Sequence, residues 1–337
     1  MKSLRLHGLH DLRIHEEARP LPNQGEALLK TACVGICGSD LHWFAEQGIG
    51  DARLTDPLVL GHEFAAVVVE GPQAGQHVAV EPAISCGVCE FCQGGNPNLC
   101  ANVIFAGHGS QDGALRELLT WPTKNLIPLP DTLTDTDGAM LEPLGVAIHA
   151  VDLGHLKTGM KVGVFGCGPI GLLIIQLAKL SGAVDIFATD PLAHRIDAAK
   201  SLGATQVFLA DGESAGKRIM TATQGRGVDV AFEVAGIQGA VDDAVAAAVS
   251  GGKVILVGIP DRDTTSFSAS LARRKGLTIK LVRRMKHTYP RAIQLVQGGK
   301  VDVRSLVTHR FPLEQASQAF EVAERREGLK ILIELGT

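Results

Sequence analysis

An alternation of strand-like and helix-like segments beginning near Leu144 constrains this chain more than any other feature. "KVGVFG" is a short apolar strand, "PIGLLIIQLAKLSGA" an apolar helix, "VDIFATD" a strand, "AHRIDAAKSLGA" a helix and "QVFLA" a further strand. Repeated strand–helix–strand units build a parallel sheet with helices packed on its faces. The rhythm continues through "VDVAFEVAG", the Ala-rich helix "IQGAVDDAVAAAVSG" and the strand "GKVILVGIP". Near Arg284 it yields to two helical stretches, "YPRAIQLVQGGK" and "LEQASQAFEVAERREG", and a terminal strand, "LKILIEL". From Met1 to about Met140 the pattern is different. Short β-branched runs such as "FAAVVVEG" and "QHVAVEPA", punctuated by Gly and Pro, predict an all-β unit of many short strands. A chain of 337 residues organised this way is expected to form two domains.

Composition narrows the function classes. A hydrophobic fraction of 45% and a charged fraction of 20% are those of an ordinary soluble protein. No apolar run approaches the ~20 residues needed to cross a bilayer. The N-terminus "MKSLRLHGLHDLRIHEE" interrupts with charge the apolar stretch a secretory signal requires, so a cytoplasmic protein without a membrane partner is expected. With a net charge of −4 and both signs mixed along the chain, nucleic acid is not an expected partner.

"VFGCGPIG" places Gly166, Gly168 and Gly171 in G-x-G-x-x-G spacing around Pro169 and Ile170, directly after a strand and at the opening of a helix. In that setting the first glycine permits a tight turn, the second admits a pyrophosphate close to the backbone, and the third lets helix and strand pack closely. The helix N-terminus then faces the phosphate charge. Asp190 closes the next strand at the spacing of about 20 residues where a carboxylate accepts from the adenosine ribose hydroxyls. It would repel a 2′-phosphate, which favours NAD over NADP. Arg195 and His194 follow closely, and their cationic groups soften that preference.

Four of the seven cysteines, Cys86, Cys89, Cys92 and Cys100, stand in C-x2-C-x2-C-x7-C spacing within a Gly- and Asn-rich segment. Four thiolates close a tetrahedral shell and leave no position for water, which describes a structural zinc. A second, mixed site is suggested by Cys37, by His62 and Glu63 in "LGHEFA", and by Glu142 in "MLEPLGVAIHA". A catalytic zinc takes three protein ligands and keeps one position open. Each of these residues also has a plain reading: His62 as a hydrogen-bonded core histidine, Cys37 as a small buried hydrophobe, Glu142 as a charge at a helix N-terminus.

Taken together, "GICGSDLH", "LVLGHE", the four-cysteine lobe, "EPLGVAIHA", "GCGPIGLL" and "YPRAIQLV…VDVRSLVTHRFPLEQASQAFE" resemble the zinc-dependent medium-chain alcohol dehydrogenases, and within them the sorbitol/xylitol (polyol) dehydrogenase branch. The resemblance spans essentially the whole chain in the family's order. It implies an α/β fold with an all-β part: a GroES-like β-barrel catalytic domain over residues 1–144 with a zinc lobe at 86–100, a doubly wound Rossmann domain over 145–283, and a C-terminal segment, 284–337, that completes the catalytic domain. It implies two zinc ions per chain and NAD. Cys37 and His62 match the catalytic zinc ligands, with Glu63 or Glu142 as the carboxylate, since members differ in which one binds directly. Asp40 matches the carboxylate that orients the zinc histidine, and Ser39 with His42 the proton relay. The implied reaction removes a hydride and a proton from a secondary alcohol of a polyol and gives a ketose. Arg284 matches a substrate-contacting arginine, whereas Met285 replaces the branch's aromatic and "WFAEQGIG" departs from its tyrosine-rich version. Adjacent Arg283 and Arg284 also suit a sugar acid of the idonate type, although Arg283 reads equally as a solvated surface charge. Threonine or a simple alcohol as substrate, or a non-catalytic nucleotide-binding protein, are the other readings. A homo-oligomer, dimer or tetramer, is implied by the family.

Overall fold

The computed structural model describes residues 1–336. The chain divides into two compact units: Met1–Pro143 together with the chain from Tyr289 onward, and Leu144–Thr288. Among the described residues, no helix is long and apolar enough to cross a membrane.

In the second unit a six-stranded sheet runs in the spatial order Gln206–Leu209, Asp185–Asp190, Lys161–Phe165, Val228–Glu233, Ala248–Leu256, Thr278–Leu281. All neighbouring pairs are parallel. Numbered along the chain this is 3-2-1-4-5-6, the doubly wound order in which the crevice for a ligand opens at the carboxyl ends of the two central strands. The strands are apolar on both faces because helices cover both sides. Phe165, Phe187, Ala231 and Val254 are all buried in one cluster with the helices Ala215–Ala222 and Gln238–Ala247. The Ala-rich helix is shorter than its sequence predicts. It ends at Ala247, and Ala248 already pairs with Val228 as the next strand. Gly251, with φ +76°, and Gly252 cannot sustain helix, and the strand absorbs them as an irregularity before Lys253 pairs with Val230. Lys275 closes that helix end, its Nζ donating to the carbonyls of Val245, Ala246 and Ala248 at 3.2, 2.6 and 2.7 Å.

In the first unit the Glu26–Gly35 strand organises a seven-stranded sheet, pairing antiparallel with Glu63–Glu70, Lys330–Glu334 and Leu118–Pro122. Its core holds Trp43, Phe44, Phe64, Trp121, Phe320 and Ile333. The region is not all β. A helix, Gly38–Glu46, follows the long strand and buries Trp43 and Phe44. A 20-residue helix, Asp135–Gly154, carries Pro143 in its interior, and the chain passes between the two units inside it, at Pro143–Leu144. The apolar runs on either side of Pro143 hide this helix from a breaker-based reading, since proline in a helix interior is disfavoured by ~3 kcal/mol.

The first turn of that helix is tied to the returning chain. Asp137, fully buried, accepts from the Thr134 amide at 2.8 Å and from Arg304 Nε and Nη2 at 2.7 and 2.6 Å. The Arg304 fork is the strong, bidentate kind of hydrogen bond. Replacement by alanine (Asp137→Ala) removes the acceptor of the Thr134 amide at the helix start, while the solvent-facing Arg304 guanidinium is left to water, so a loss of about 2 kcal/mol is expected in urea unfolding. A loss below about 1 kcal/mol would contradict this role.

Candidate active site

The long strand of the first unit ends at Gly35 opposite Glu63, the first residue of its neighbour. That register places the residues just beyond one strand end beside those just before the other. Cys37 is the N-cap of the Gly38–Glu46 helix, and His62 is reached through a turn at Gly61, whose φ is +95°. A side chain at Gly61 would meet Val34 Cγ1 at 2.7 Å, so only glycine fits this turn. One ligand atom from each of Cys37, His62 and Glu63 consequently lies within 4.8 Å of the others. His62 and Glu63 are buried, at 5% and 1% exposure.

Asp40 fastens the group. Its Oδ2 accepts from the Cys37 amide at 2.9 Å, its Oδ1 accepts from the Gly61 amide at 3.3 Å, and the same Oδ1 stands 3.5 Å from His62 Nδ1. The capping carboxylate thereby also orients the imidazole. Burial pushes His62 toward its neutral form, yet the Asp40 carboxylate and the Cys37 sulfur outweigh it and raise its pKa well above the ordinary value. A pocket that draws a proton onto a fully enclosed imidazole also favours a divalent cation. Phe105 packs against the His62 ring, with centroids 5.1 Å apart. A half-buried cysteine sulfur with a buried imidazole and carboxylate, and a further carboxylate behind the histidine, is a donor set that fits zinc.

Glu142 is not among the converging atoms. It sits within the Asp135–Gly154 helix and not at a helix N-terminus, and burial pushes its carboxyl up to about 8, opposed by His62 and reinforced by Glu63 and Glu81. Ser39 and His42 occupy successive turns of the Gly38–Glu46 helix, both half-buried. His42 Nδ1 lies 3.1 Å from Glu46 Oε1. One residue of this site was missed in the sequence. Lys330 is 3% exposed and forms an ion pair with Glu63 Oε2, and its Nζ donates to the Ile36 carbonyl at 2.9 Å. Burial opposes its charge, but Glu63 and Cys37 prevail and raise its pKa. The available signal was a lysine opening a terminal strand of otherwise inward-facing residues. Tyr289, the chain's single tyrosine, also lies close by in the field of Glu81, Glu142 and Glu63, its hydroxyl donating to the Val80 carbonyl at 2.8 Å.

The four lobe cysteines converge as well, each offering a sulfur within 4.8 Å of the others. Cys86 and Cys92 sulfurs are 3.9 Å apart, and those of Cys89 and Cys92 3.5 Å. Backbone amides of Val88 and Cys89 pull the Cys86 thiol down to about 6, a thiolate environment. All seven cysteines are free. Four sulfurs drawn together without a disulfide fit a closed zinc shell.

In the second unit Gly166 has φ +107°, and a Cβ on Gly171 would stand 2.0 Å from the Gly166 carbonyl oxygen. Gly168 caps the Pro169–Leu180 helix, and Gly168, Pro169 and Ile170 remain partly accessible at its N-terminus. A Cβ on Gly168 would meet nothing nearer than Arg195 Nη1 at 3.8 Å, which leaves the space a pyrophosphate needs. Asp190 is held at the strand end by the Cys167 and Leu192 amides at 2.8 and 2.9 Å, with Arg195 Nη1 at 3.9 Å. Arg284 is half-buried with φ +54°, whereas Arg283 is exposed.

The alcohol dehydrogenase GroES-like domain model matches residues 23–131, and the zinc-binding dehydrogenase model matches residues 169–298. Sorbitol dehydrogenase of Bacillus subtilis (strain 168) is 36% identical over 343 residues, covering 99% of this chain and 97% of that protein. The chain belongs to the zinc-dependent medium-chain alcohol dehydrogenases, in the polyol dehydrogenase branch. As a member of that family it is an oxidoreductase that uses zinc and a nicotinamide cofactor. Probable D-xylulose reductase A of Emericella nidulans is 36% identical over 342 residues, with 97% of this chain and 94% of that protein covered. An Escherichia coli oxidoreductase of unknown specificity superposes with a TM-score of 0.93 at 32% identity, covering 100% of this chain and 99% of the other. An alcohol dehydrogenase from E. coli CFT073 complexed with NADH gives 0.91 at 28% identity, covering 99% and 98%.

If Asp40 orients His62, the Asp40→Ala variant should bind the zinc at Cys37 and His62 about 10- to 100-fold more weakly in chelator competition, with the four-cysteine lobe unaffected. Undiminished affinity would show that the carboxylate only caps its helix.

Proposed function

We propose that this dehydrogenase oxidises a secondary alcohol of a polyol of the sorbitol or xylitol type to the ketose and delivers the hydride to NAD. The convergence of Cys37, His62 and Glu63 in a chain similar to sorbitol dehydrogenases carries this reading. The family's two groups supply the chemistry when bound: zinc acts as a Lewis acid toward the alcohol oxygen, and the nicotinamide ring accepts the hydride. Cys37, His62 and one carboxylate would hold the catalytic zinc, with Glu63 better placed than Glu142. The lobe cysteines would hold a second, structural zinc.

The chain's own groups do the rest. Asp40 holds the His62 ring so that the nitrogen remote from it is free for the metal. Ser39 accepts the alcohol proton and passes it to His42, which releases it to water, a transfer worth roughly 10²- to 10⁴-fold in rate. Asp190 accepts from the adenosine ribose, and the N-terminus of the Pro169–Leu180 helix receives the pyrophosphate, with Arg195 alongside. Arg284 would contact substrate oxygens. Residues 1–144 with 284–337 would form the catalytic domain and 145–283 the nucleotide domain. The clustered free thiols suit a reducing compartment, so we place the protein in the cytoplasm, and as a homo-oligomer, dimer or tetramer.

Nicotinamide reduction followed with sorbitol, xylitol, idonate, threonine and butanediol tests this directly. Turnover is expected with a polyol and with NAD in preference to NADP. Turnover with threonine or butanediol alone would move the specificity elsewhere in the family, and none with any of them, in zinc-replete protein, would overturn the substrate reading.

A further inference from the structure

Glu233 ends the central strand Val228–Glu233 and is 1% exposed, and no step of the reaction above uses it. A carboxylate withdrawn from water is costly unless hydrogen bonds replace its hydration. The loop that follows supplies them. Glu233 Oε1 accepts from the Ala235 amide at 2.8 Å and from the Gly236 amide at 2.7 Å. Burial pushes the carboxyl up, and the amides of Gly236, Ala235, Gly258 and Ile237 pull it back. The main chain of the same residue reaches the neighbouring strand exit, since its carbonyl accepts from the Val257 and Gly258 amides at 2.8 and 3.1 Å.

The loops held in this way also touch one another and the glycine turn. A Cβ on Gly236, whose φ is +71°, would stand 2.1 Å from the Ile259 carbonyl oxygen. One on Gly258 would stand 2.2 Å from the Gly236 amide nitrogen and 2.9 Å from Glu233 Oε2, and one on Gly166 would stand 2.9 Å from the Ala235 amide nitrogen. The exits of strands one, four and five therefore pack backbone to backbone around a single carboxylate. In a doubly wound sheet each half receives one mononucleotide, and the dinucleotide crosses the crevice between strands one and four. The glycine turn and Asp190 belong to the first half, and Glu233 closes the first strand of the second. Resting on the NAD reading above, we propose that Glu233 is a positioning residue for the nicotinamide half of the dinucleotide. Being buried, it acts through the loop: by gathering the amides of Ala235, Gly236, Ile237 and Gly258 it fixes the exits of strands four and five in the arrangement that receives that half. A charged acceptor serves better than a neutral one because hydrogen bonds to a carboxylate are shorter and stronger.

The test uses full-length, zinc-replete protein and compares the affinities of two ligands by titration calorimetry: NADH, and ADP, which lacks the nicotinamide riboside. In E233Q one carboxylate oxygen becomes an NH2 group that meets amide donors with a donor. NADH affinity should fall roughly tenfold while ADP affinity stays within about twofold. A loss of stability alone would not separate the two ligands. A folded E233Q that binds NADH like the parent, or that loses NADH and ADP to the same extent, would overturn the proposal. Should E233Q fail to fold, G258A decides: it keeps the carboxylate and sets a methyl against Gly236 and Glu233 Oε2. NADH affinity that is unchanged there, or lost in step with ADP, would also overturn the proposal. Parent protein that binds neither ligand would instead overturn the NAD reading itself.

Discussion

A half-buried thiol drawn within 4.8 Å of a buried imidazole and a buried carboxylate calls for a cation among them. Withdrawing the Glu63 carboxylate from water costs several kcal/mol unless opposite charge is supplied at close range. Lys330 supplies one such charge to Glu63, and a divalent ion held there would supply the rest. Much of the local architecture follows from bringing these groups together. The Gly35–Glu63 register aligns the two strand ends, the left-handed Gly61 turns His62 inward, and Asp40 binds the Cys37 and Gly61 amides while facing the histidine.

The two candidate sites are built in different ways. The dinucleotide loop of the second unit is a local solution, built from a strand end, a helix N-terminus and one aspartate within a short stretch of sequence. The candidate metal site is a long-range one. Its residues come from the region after the first long strand, from the start of the next, and, through Lys330, from the final strand after the chain has returned at Tyr289. The inserted second unit is tolerated because the strand it delays, Lys330–Glu334, still pairs with Glu26–Gly35 and closes the sheet.

The two sites differ in legibility for the same reason. The parallel sheet and the glycine loop could be read from sequence because strand, turn and helix signals lie next to each other, and the four-cysteine lobe because its ligands share one loop. The helix Gly38–Glu46 escaped a reading by composition, being a short insertion in strand-rich sequence whose buried face is only Asp40, Trp43 and Phe44. The helix through Pro143 was hidden by a residue that normally ends helices. In the Ala-rich segment the end at Ala247 depends on parallel pairing to Val228, a tertiary contact that local propensity does not carry. Which carboxylate stands with Cys37 and His62 was likewise invisible, since Glu63 and Glu142 both lie in plausible motifs and only the register separates them. Lys330 escaped because a buried lysine is recognised by its partner, not by its own neighbours in sequence.

Anomalous diffraction from crystals of the purified protein, recorded above and below the zinc absorption edge, tests the central claim most directly. The account predicts one peak per chain among Cys37, His62 and Glu63 and a second among the four lobe cysteines. A map with density at the lobe alone, from zinc-replete protein, would contradict it.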